Sequence, residues 1–480
     1  MNPQPSGNPS QQAAGFARMQ SIFASQREAF AGSPMPGLAE RKRHLAALRA
    51  LLIQHTDALA AAISTDFTAR SVDETLLGEI IPGIHSIDYT LKNLRRWMKP
   101  SPRSVGLDLL PASARVVYQP LGVVGIMVPF NYPVNLAVVP LVAALAAGNR
   151  AMIKMSEFAP GTAALIGEML AKYFDEDHVA GVTGEADIAA AFSRLAFDHL
   201  LFTGSTPVGK QVMHAAADNL TPVTLELGGK SPAIIAADIP LADIVDRLCF
   251  AKSLNAGQTC IAPDYILIPR GKLEDFMRLF KAAFRKMFPS INGNPDYTSI
   301  VNARSHRRLH DLLKDAAAKG ARIDRLSDES ISDGTFRMPL HLVTDVTDEM
   351  KIMQEELFGP VLPVVPYDSI EEALNYVKRR PRPLALYLFT NDPALQDLVT
   401  DNTHAGSMCI NDAVLQVAVD DLPFGGIGPS GMGHYHGHEG FLTMSKAKSI
   451  LSRGKFNPMR FMYPPYGGTI QKWMLKWLTR

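Results

Sequence analysis

Apolar residues recur at helical spacing through residues 36–66, with Leu45, Leu48 and Leu52 on one face, and the pattern predicts helix there. Upstream, the segment MNPQPSGNPSQQ is polar and rich in Pro, Ser and Gln. It predicts a disordered lead over residues 1–14, and it lacks the basic-then-apolar order of a secretory signal. Residues 102–121 change character. Ser113 to Pro120 reads as an extended ribbon, and Gly122 to Val128 is a near-continuous apolar run that suits a buried parallel strand. Pro140 to Ala147 suits a helix closed by Gly148 and Asn149, and Ala151 to Lys154 the next strand. His199 to Thr203 leads into Gly204-Ser-Thr-Pro-Val-Gly209 and then a helix. Strand and helix signals continue to alternate, through strands at Ala233–Ala236 and Tyr265–Ile268, to about residue 410. The alternation predicts an α/β chain built on parallel sheets.

Composition narrows the picture. A chain of 480 residues is too long for one ordinary core, so two or three joined lobes are expected. Lys and Arg total 48 against 47 for Asp and Glu, which gives no footprint for nucleic acid. Three cysteines, Cys249, Cys260 and Cys409, are too few for a disulfide framework and point to the cytosol. The apolar stretch from Leu136 to Gly148 is too short to span a bilayer.

Cys260 follows Asn255-Ala-Gly-Gln-Thr, small and polar neighbours that suit an approachable loop. Cys249 and Cys409 read as core filler. Taken alone, Cys260 is either a nucleophile or packing. Glu226 closes an apolar strand, where a carboxylate is costly without a partner or a task. It is either a cap or partner of Lys230, or a general base. Asn131 before Tyr132-Pro133 is either an Asx turn or an oxyanion donor. Gly204 and Gly209, with Ser205 between them, follow a strand and open a helix. That context permits dinucleotide binding, though the glycine pair by itself is weak evidence. His434, His436 and His438 alternate in a Gly-rich segment without the carboxylate or Cys cluster a metal site needs, so no metal is expected. His199 beside Asp198 reads as structural. Trp473 and Trp477 share a face of a C-terminal helix that also carries Lys472, Lys476 and Arg480. Docking on the protein or a partner subunit is preferred there to a membrane-surface role.

Taken in order, Phe130-Asn131-Tyr-Pro, Lys154-Met-Ser-Glu157, Phe202-Thr-Gly-Ser-Thr, Glu226-Leu-Gly-Gly-Lys, Gly257-Gln-Thr-Cys260, Glu356-Leu-Phe-Gly-Pro and Pro423-Phe-Gly-Gly resemble the aldehyde dehydrogenase superfamily from about residue 20 to 465. Ser430 to Gly437 and Tyr463-Pro-Pro-Tyr-Gly look like its class 3 branch, nearest to bacterial coniferyl aldehyde dehydrogenases. The resemblance implies a Rossmann-like cofactor lobe (15–101 and 123–226) and an α/β catalytic lobe (227–410). It also implies β bridging and oligomerisation elements (102–122 and 411–465) and an amphipathic tail (466–480). A homodimer is expected, with the ribbon and a strand near Ala447–Leu451 pairing with another subunit.

The implied chemistry is oxidation of an aldehyde to its acid with NAD, or NADP, as acceptor. Cys260 is the implied nucleophile, with the Asn131 amide and the Cys260 backbone N–H as oxyanion donors and Glu226 as activator of water. Lys154 and Glu157 are implied at the adenine-side ribose, Gly204 and Ser205 at the pyrophosphate, Glu356 at the nicotinamide ribose and Phe358 beside it. Met155 stands where many relatives have proline, with no loss expected. Coniferaldehyde or a related aromatic aldehyde is the implied substrate. The alternatives are a medium-chain or fatty aldehyde, acyl transfer to coenzyme A, which dispenses with the base that Glu226 supplies, and a non-catalytic NAD-binding protein.

Overall fold

The computed structural model describes residues 9–106, 109–332 and 334–479. Residues 1–8 of the expected lead, 107–108 of the ribbon and Arg480 of the tail lie outside the described residues. The helix Pro9–Gly32 already begins within the segment expected to be disordered, and it buries Met19 and Ile22 against the cofactor-side sheet. That correction has a plain cause. The anchoring apolar residues lie after the polar lead, so its composition does not show them.

Two parallel sheets carry the molecule. The first runs Gly431–Met432, Val223–Leu227, His199–Gly204, Val123–Met127, Arg150–Lys154, Val179–Val182, antiparallel only at the Gly431 end. The strands Val123–Met127 and His199–Gly204 are adjacent, with the later chain on opposite sides of them. This reversal of strand order opens a crevice at their carboxyl ends. The second sheet runs Arg322–Arg325, His341–Thr344, Val361–Tyr367, Tyr265–Pro269, Pro232–Ile235, Ala385–Phe389, Ser407–Ile410, antiparallel only at the Arg322 end. The strand Val123–Met127 is buried along its whole length, as its apolar run demands.

The periodic region 36–66 forms two helices, Leu38–Gln54 and Thr56–Asp66, separated at His55. Leu45, Leu48 and Leu52 are all buried. The helix expected from Pro140 starts earlier, spanning Asn135–Ala147, with Gly148 closing it at φ 91°. Its first donors are satisfied from elsewhere in the chain. The Glu79 carboxylate accepts from Val134 N at 2.8 Å and Asn135 N at 3.0 Å. A cap supplied from a distant segment leaves no local signature before residue 135.

The ribbon is a three-stranded antiparallel sheet, Ser101–Arg103, Ser113–Pro120, Ser445–Ser452. Along one edge the late strand pairs within its own chain, Ala447 opposite Tyr118. Residues 411–444 do not join the ribbon. They return to the first sheet, where Gly431 lies opposite Glu226.

Candidate active site

Both sheets contribute to one cleft of about 920 Å³. It lies at the carboxyl ends of the first sheet and at the segments entering the second. Met127–Asn131, Lys154–Phe158, Gly204–Val208, Glu226, Gly228–Lys230, Cys260 and Glu356 all line it.

Cys260 reaches the cleft on a loop whose backbone is unusual. Asn255, Ala256 and Gly257 have φ of 51°, 51° and 73°. Three successive left-handed residues cost free energy and persist only when surroundings over-determine them. Here Gln258 is the brace. Its Nε2 donates to Asn255 O and Ser299 O at 3.0 Å each, and its Oε1 accepts from Val301 N at 3.0 Å. Gly257 is required twice over. A Cβ there would sit 2.5 Å from Gly359 O, besides meeting the positive φ. The sequence marked Cys260 but not Gln258, whose only signal was an amide beside a glycine.

Asn131 is buried with its Nδ2 donating to Gln258 O at 3.0 Å. An amide nitrogen carries two protons, so one remains for a ligand. The Asn131 carbonyl accepts from Arg70 Nη1 at 3.0 Å and Asn255 Nδ2 at 3.0 Å. Arg70, unmarked in the sequence, is fully buried and pairs with Glu79 at 2.9 Å and Glu74 at 3.4 Å. Glu74 in turn accepts from Asn255 N at 2.8 Å. One buried ionic cluster thus holds both the oxyanion candidate and the nucleophile loop.

Glu226 ends its strand in the cleft, 3% exposed, with neither carboxylate oxygen hydrogen-bonded among the described residues. Burial pushes its pKa well above the usual carboxylate range. Its expected alternative partner, Lys230, is taken by Asp264. A capping or ion-pairing role for Glu226 has no support in these contacts. Burial also pushes the Cys260 thiol up to about 12, with the charges of Glu356 and then Glu226 adding to it. The N–H groups of Cys260 and Ile261 act in the opposite direction.

Glu356 rests on Gly228, where a Cβ would lie 2.0 Å from its Oε2. Burial first, and then the charge of Asp264, raise it to about 8. Its backbone is pinned by Arg308, which donates to Glu356 O at 3.1 Å and to Leu357 O. Lys230 donates to Glu355 O at 3.1 Å, and Asp264 accepts from Leu357 N at 2.9 Å. Arg308 and Asp264 are positioning residues that sequence patterns did not reveal, and Lys230, read there only as a partner for Glu226, is a third. Phe358 takes φ 48° and packs edge-on to Phe130.

At the far end, Lys154 is buried, with its Nζ 3.7 Å from Glu157 Oε2 and donating to Met155 O at 2.7 Å. Gly204 and Ser205 precede the helix Thr206–Ala217, whose first turn faces the cleft. Gly209 does not line it, correcting that expectation. It sits inside this helix against Leu227, where a Cβ would come within 2.7 Å of Leu227 Cδ2. Its role is to let helix and strand approach. The loop 379–383 adds Arg380 and Arg382 to the cleft wall.

The residues present fit a dinucleotide. A helix N-terminus offers backbone donors for a pyrophosphate. Glu157 offers an acceptor for ribose hydroxyls, and the cleft runs from there to Cys260.

The remaining candidates have structural partners. His199 Nε2 lies 2.9 Å from Thr224 Oγ1, His436 Nε2 lies 2.9 Å from Leu422 O, and His438 packs on Trp97. Among the described residues no group of three or more His, Cys, Asp or Glu is placed to hold a metal ion. Cys249 is buried, whereas Cys409 is only half-buried at a strand end, less enclosed than a core filler.

Comparison with known proteins agrees with this geometry. The model of the aldehyde dehydrogenase family matches residues 9–450. A probable coniferyl aldehyde dehydrogenase of Pseudomonas aeruginosa is 56% identical over 96% of this chain and 97% of its own length. A coniferyl aldehyde dehydrogenase of a Pseudomonas species is 45% identical over 88% of each chain. The substrate-bound structure of Staphylococcus aureus AldH superposes with a TM-score of 0.90 at 35% identity, covering 96% of this chain and 99% of that one. With the nucleophile loop, the buried acid and the dinucleotide cleft in one place, and with a family match across nearly its whole length, the chain belongs to the aldehyde dehydrogenase family.

Proposed function

We propose that the chain oxidises an aromatic aldehyde of the coniferaldehyde type to its carboxylic acid, with Cys260, Glu226 and Asn131 as the catalytic residues. The observation that carries the roles is the cleft itself. A part-exposed thiol, an unpartnered carboxyl and an amide with a spare proton converge on one space beside a dinucleotide groove. The substrate class rests on the coniferyl aldehyde dehydrogenases to which the chain is 45–56% identical.

Cys260 attacks the aldehyde carbon as thiolate, because sulfur is both a strong nucleophile and a good later leaving group. The carbonyl oxygen becomes an oxyanion held by Asn131 Nδ2 and the Cys260 backbone N–H. A nicotinamide cofactor, when bound, supplies the hydride acceptor. Lys154, Glu157, Gly204, Ser205, Glu356 and Phe358 would hold it. Cys260 is then acylated, and Glu226 takes a proton from the water that cleaves the thioester. Glu157 at the ribose end favours NAD, since a carboxylate repels a 2′-phosphate. Lys154 beside it tempers that exclusion, so NADP is accepted more weakly.

The exposed strand Ser445–Ser452 at the edge of the ribbon favours a homodimer, because an uncovered edge is a template for pairing. We place the enzyme in the cytoplasm, in keeping with three unpaired cysteines. Among the described residues no helix is long and apolar enough to cross a membrane.

Initial-rate reduction of NAD and NADP with coniferaldehyde, benzaldehyde and hexanal tests the reading, with Cys260→Ala as control. The fastest rate is expected for coniferaldehyde with NAD, lost in the variant. A preference for hexanal would move the substrate to the aliphatic class. Failure of every aldehyde while NAD still binds would leave a binding protein.

A further inference from the structure

A second cavity of about 480 Å³ lies in the catalytic lobe and shares no lining residue with the active-site cleft. Its wall is basic, with two arginines and three histidines. His306 and His310 stand one turn apart on the helix Ala303–Ala318, their rings 4.6 Å apart. Arg325 ends the strand Arg322–Arg325 and lies in register opposite His341 on the next strand. Arg337 completes the ring and is only 6% exposed.

The Glu329 carboxylate offsets part of this charge, since it acts on both Arg325 and Arg337. Arg325 Nη2 donates to the backbone carbonyl of Glu329. The Glu329 carboxylate itself is committed to Ile291 N at 2.8 Å and Asn292 N at 3.0 Å. Arg337 donates to the carbonyl of Ile291. His341 is 8% exposed, and its Nδ1 has no hydrogen-bond partner. A buried ring nitrogen without a partner is costly, and beside two guanidinium groups it points to an occupant that brings acceptor oxygens. Partial burial first, and then the charges of His306 and Lys314, lower the pKa of His310.

We propose that this cavity binds a phosphate-bearing small molecule. Guanidinium forks match phosphate oxygens bidentately, and imidazoles donate to the remaining ones. The volume exceeds that of one tetrahedral anion, which favours a diphosphate or a phosphate monoester over a lone phosphate. The site is separate from the cofactor cleft, although the same helix supplies Ser305 and Arg308 to that cleft.

Titration calorimetry of the full chain saturated with NAD tests this, using inorganic pyrophosphate in one arm and glycerol 3-phosphate in the other. One site is expected in at least one arm, and the tighter arm identifies whether an inorganic or an organic phosphate is preferred. Arg325→Gln and His310→Asn should each weaken it roughly tenfold. Neither should change the dehydrogenase rate measured without added anion. His310 is exposed, so its variant decides the matter if Arg325→Gln fails to fold. Absence of binding once NAD fills the cleft overturns the proposal. So does binding that is equally tight in wild type and His310→Asn.

Discussion

Cys260 and Glu226 share one difficulty, since burial disfavours the charged form of each. The thiol is opposed by two neighbouring carboxylates, Glu356 more strongly than Glu226. Removing a negative neighbour favours the thiolate, so the pH of half-maximal alkylation must fall. Iodoacetamide labelling of the Cys260 peptide, followed by mass spectrometry against pH, should show a lower midpoint in Glu356→Gln. The fall in Glu226→Gln should be smaller. An unchanged or raised midpoint in both would show that the carboxylates do not face the sulfur. Glu226→Gln should also separate the two halves of turnover. A first burst of reduced cofactor survives, because acylation needs no activated water, while steady turnover falls by roughly 10²–10⁴-fold. A variant that loses burst and steady state together would assign Glu226 to the first half instead. At Met155 the departure from the common proline has a visible counterpart. The Met155 N–H donates to Val182 O at 3.0 Å, a bond no proline can make.

Among the elements, the loop Asn255–Cys260 and the segment Leu76–Ile80 do most to place the chemistry. The latter widens into a single π-helical turn, and Glu79 within it caps the helix Asn135–Ala147 while pairing with Arg70. Breaking a buried pair from one side leaves uncompensated charge. Arg70→Met should therefore cost about 3–5 kcal/mol, read as a lowered denaturant midpoint, and should slow the enzyme through Asn131. A midpoint unchanged from wild type would mean that Arg70 is not the counter-ion of Glu79. Gly257→Ala tests the loop. Its Cβ must displace Gly359, next to Phe358, so activity should fall far more than stability. Full activity in this variant would show that the backbone conformation is dispensable. Glu226, Asn131 and Cys260 were legible because each is a polar residue at an apolar strand end or in a glycine-bounded loop. Arg70, Gln258, Arg308 and Asp264 were not legible. Each makes at least one hydrogen bond to a partner between 41 and 93 residues away, from Gln258 with Ser299 to Asp264 with Leu357.

At the scale of the whole molecule, alternating strand and helix signals announced two parallel sheets, but not their relation. Only the fold shows that the carboxyl ends of one sheet face the entry segments of the other, which is why Glu226 and Cys260 share a cleft. Assembly was read from the ribbon, and there the pairing of Ser445–Ser452 with Ser113–Pro120 uses one edge of the late strand within the chain. The other edge is unpaired among the described residues. The tail bears on this. The helix Thr469–Leu478 forms as its spacing suggests, yet Trp473 and Trp477 are 69% and 54% exposed, so they do not dock on their own body. Two exposed indoles are costly to leave in water and worth several kcal/mol when covered. If a partner subunit covers them, a chain ending at Gly467 should dissociate at concentrations where the full chain scatters light as a dimer. Flotation with anionic liposomes should then be absent for both. The reverse pattern, equal dimer masses with flotation of the full chain alone, would assign the indoles and Lys472 and Lys476 to a membrane surface.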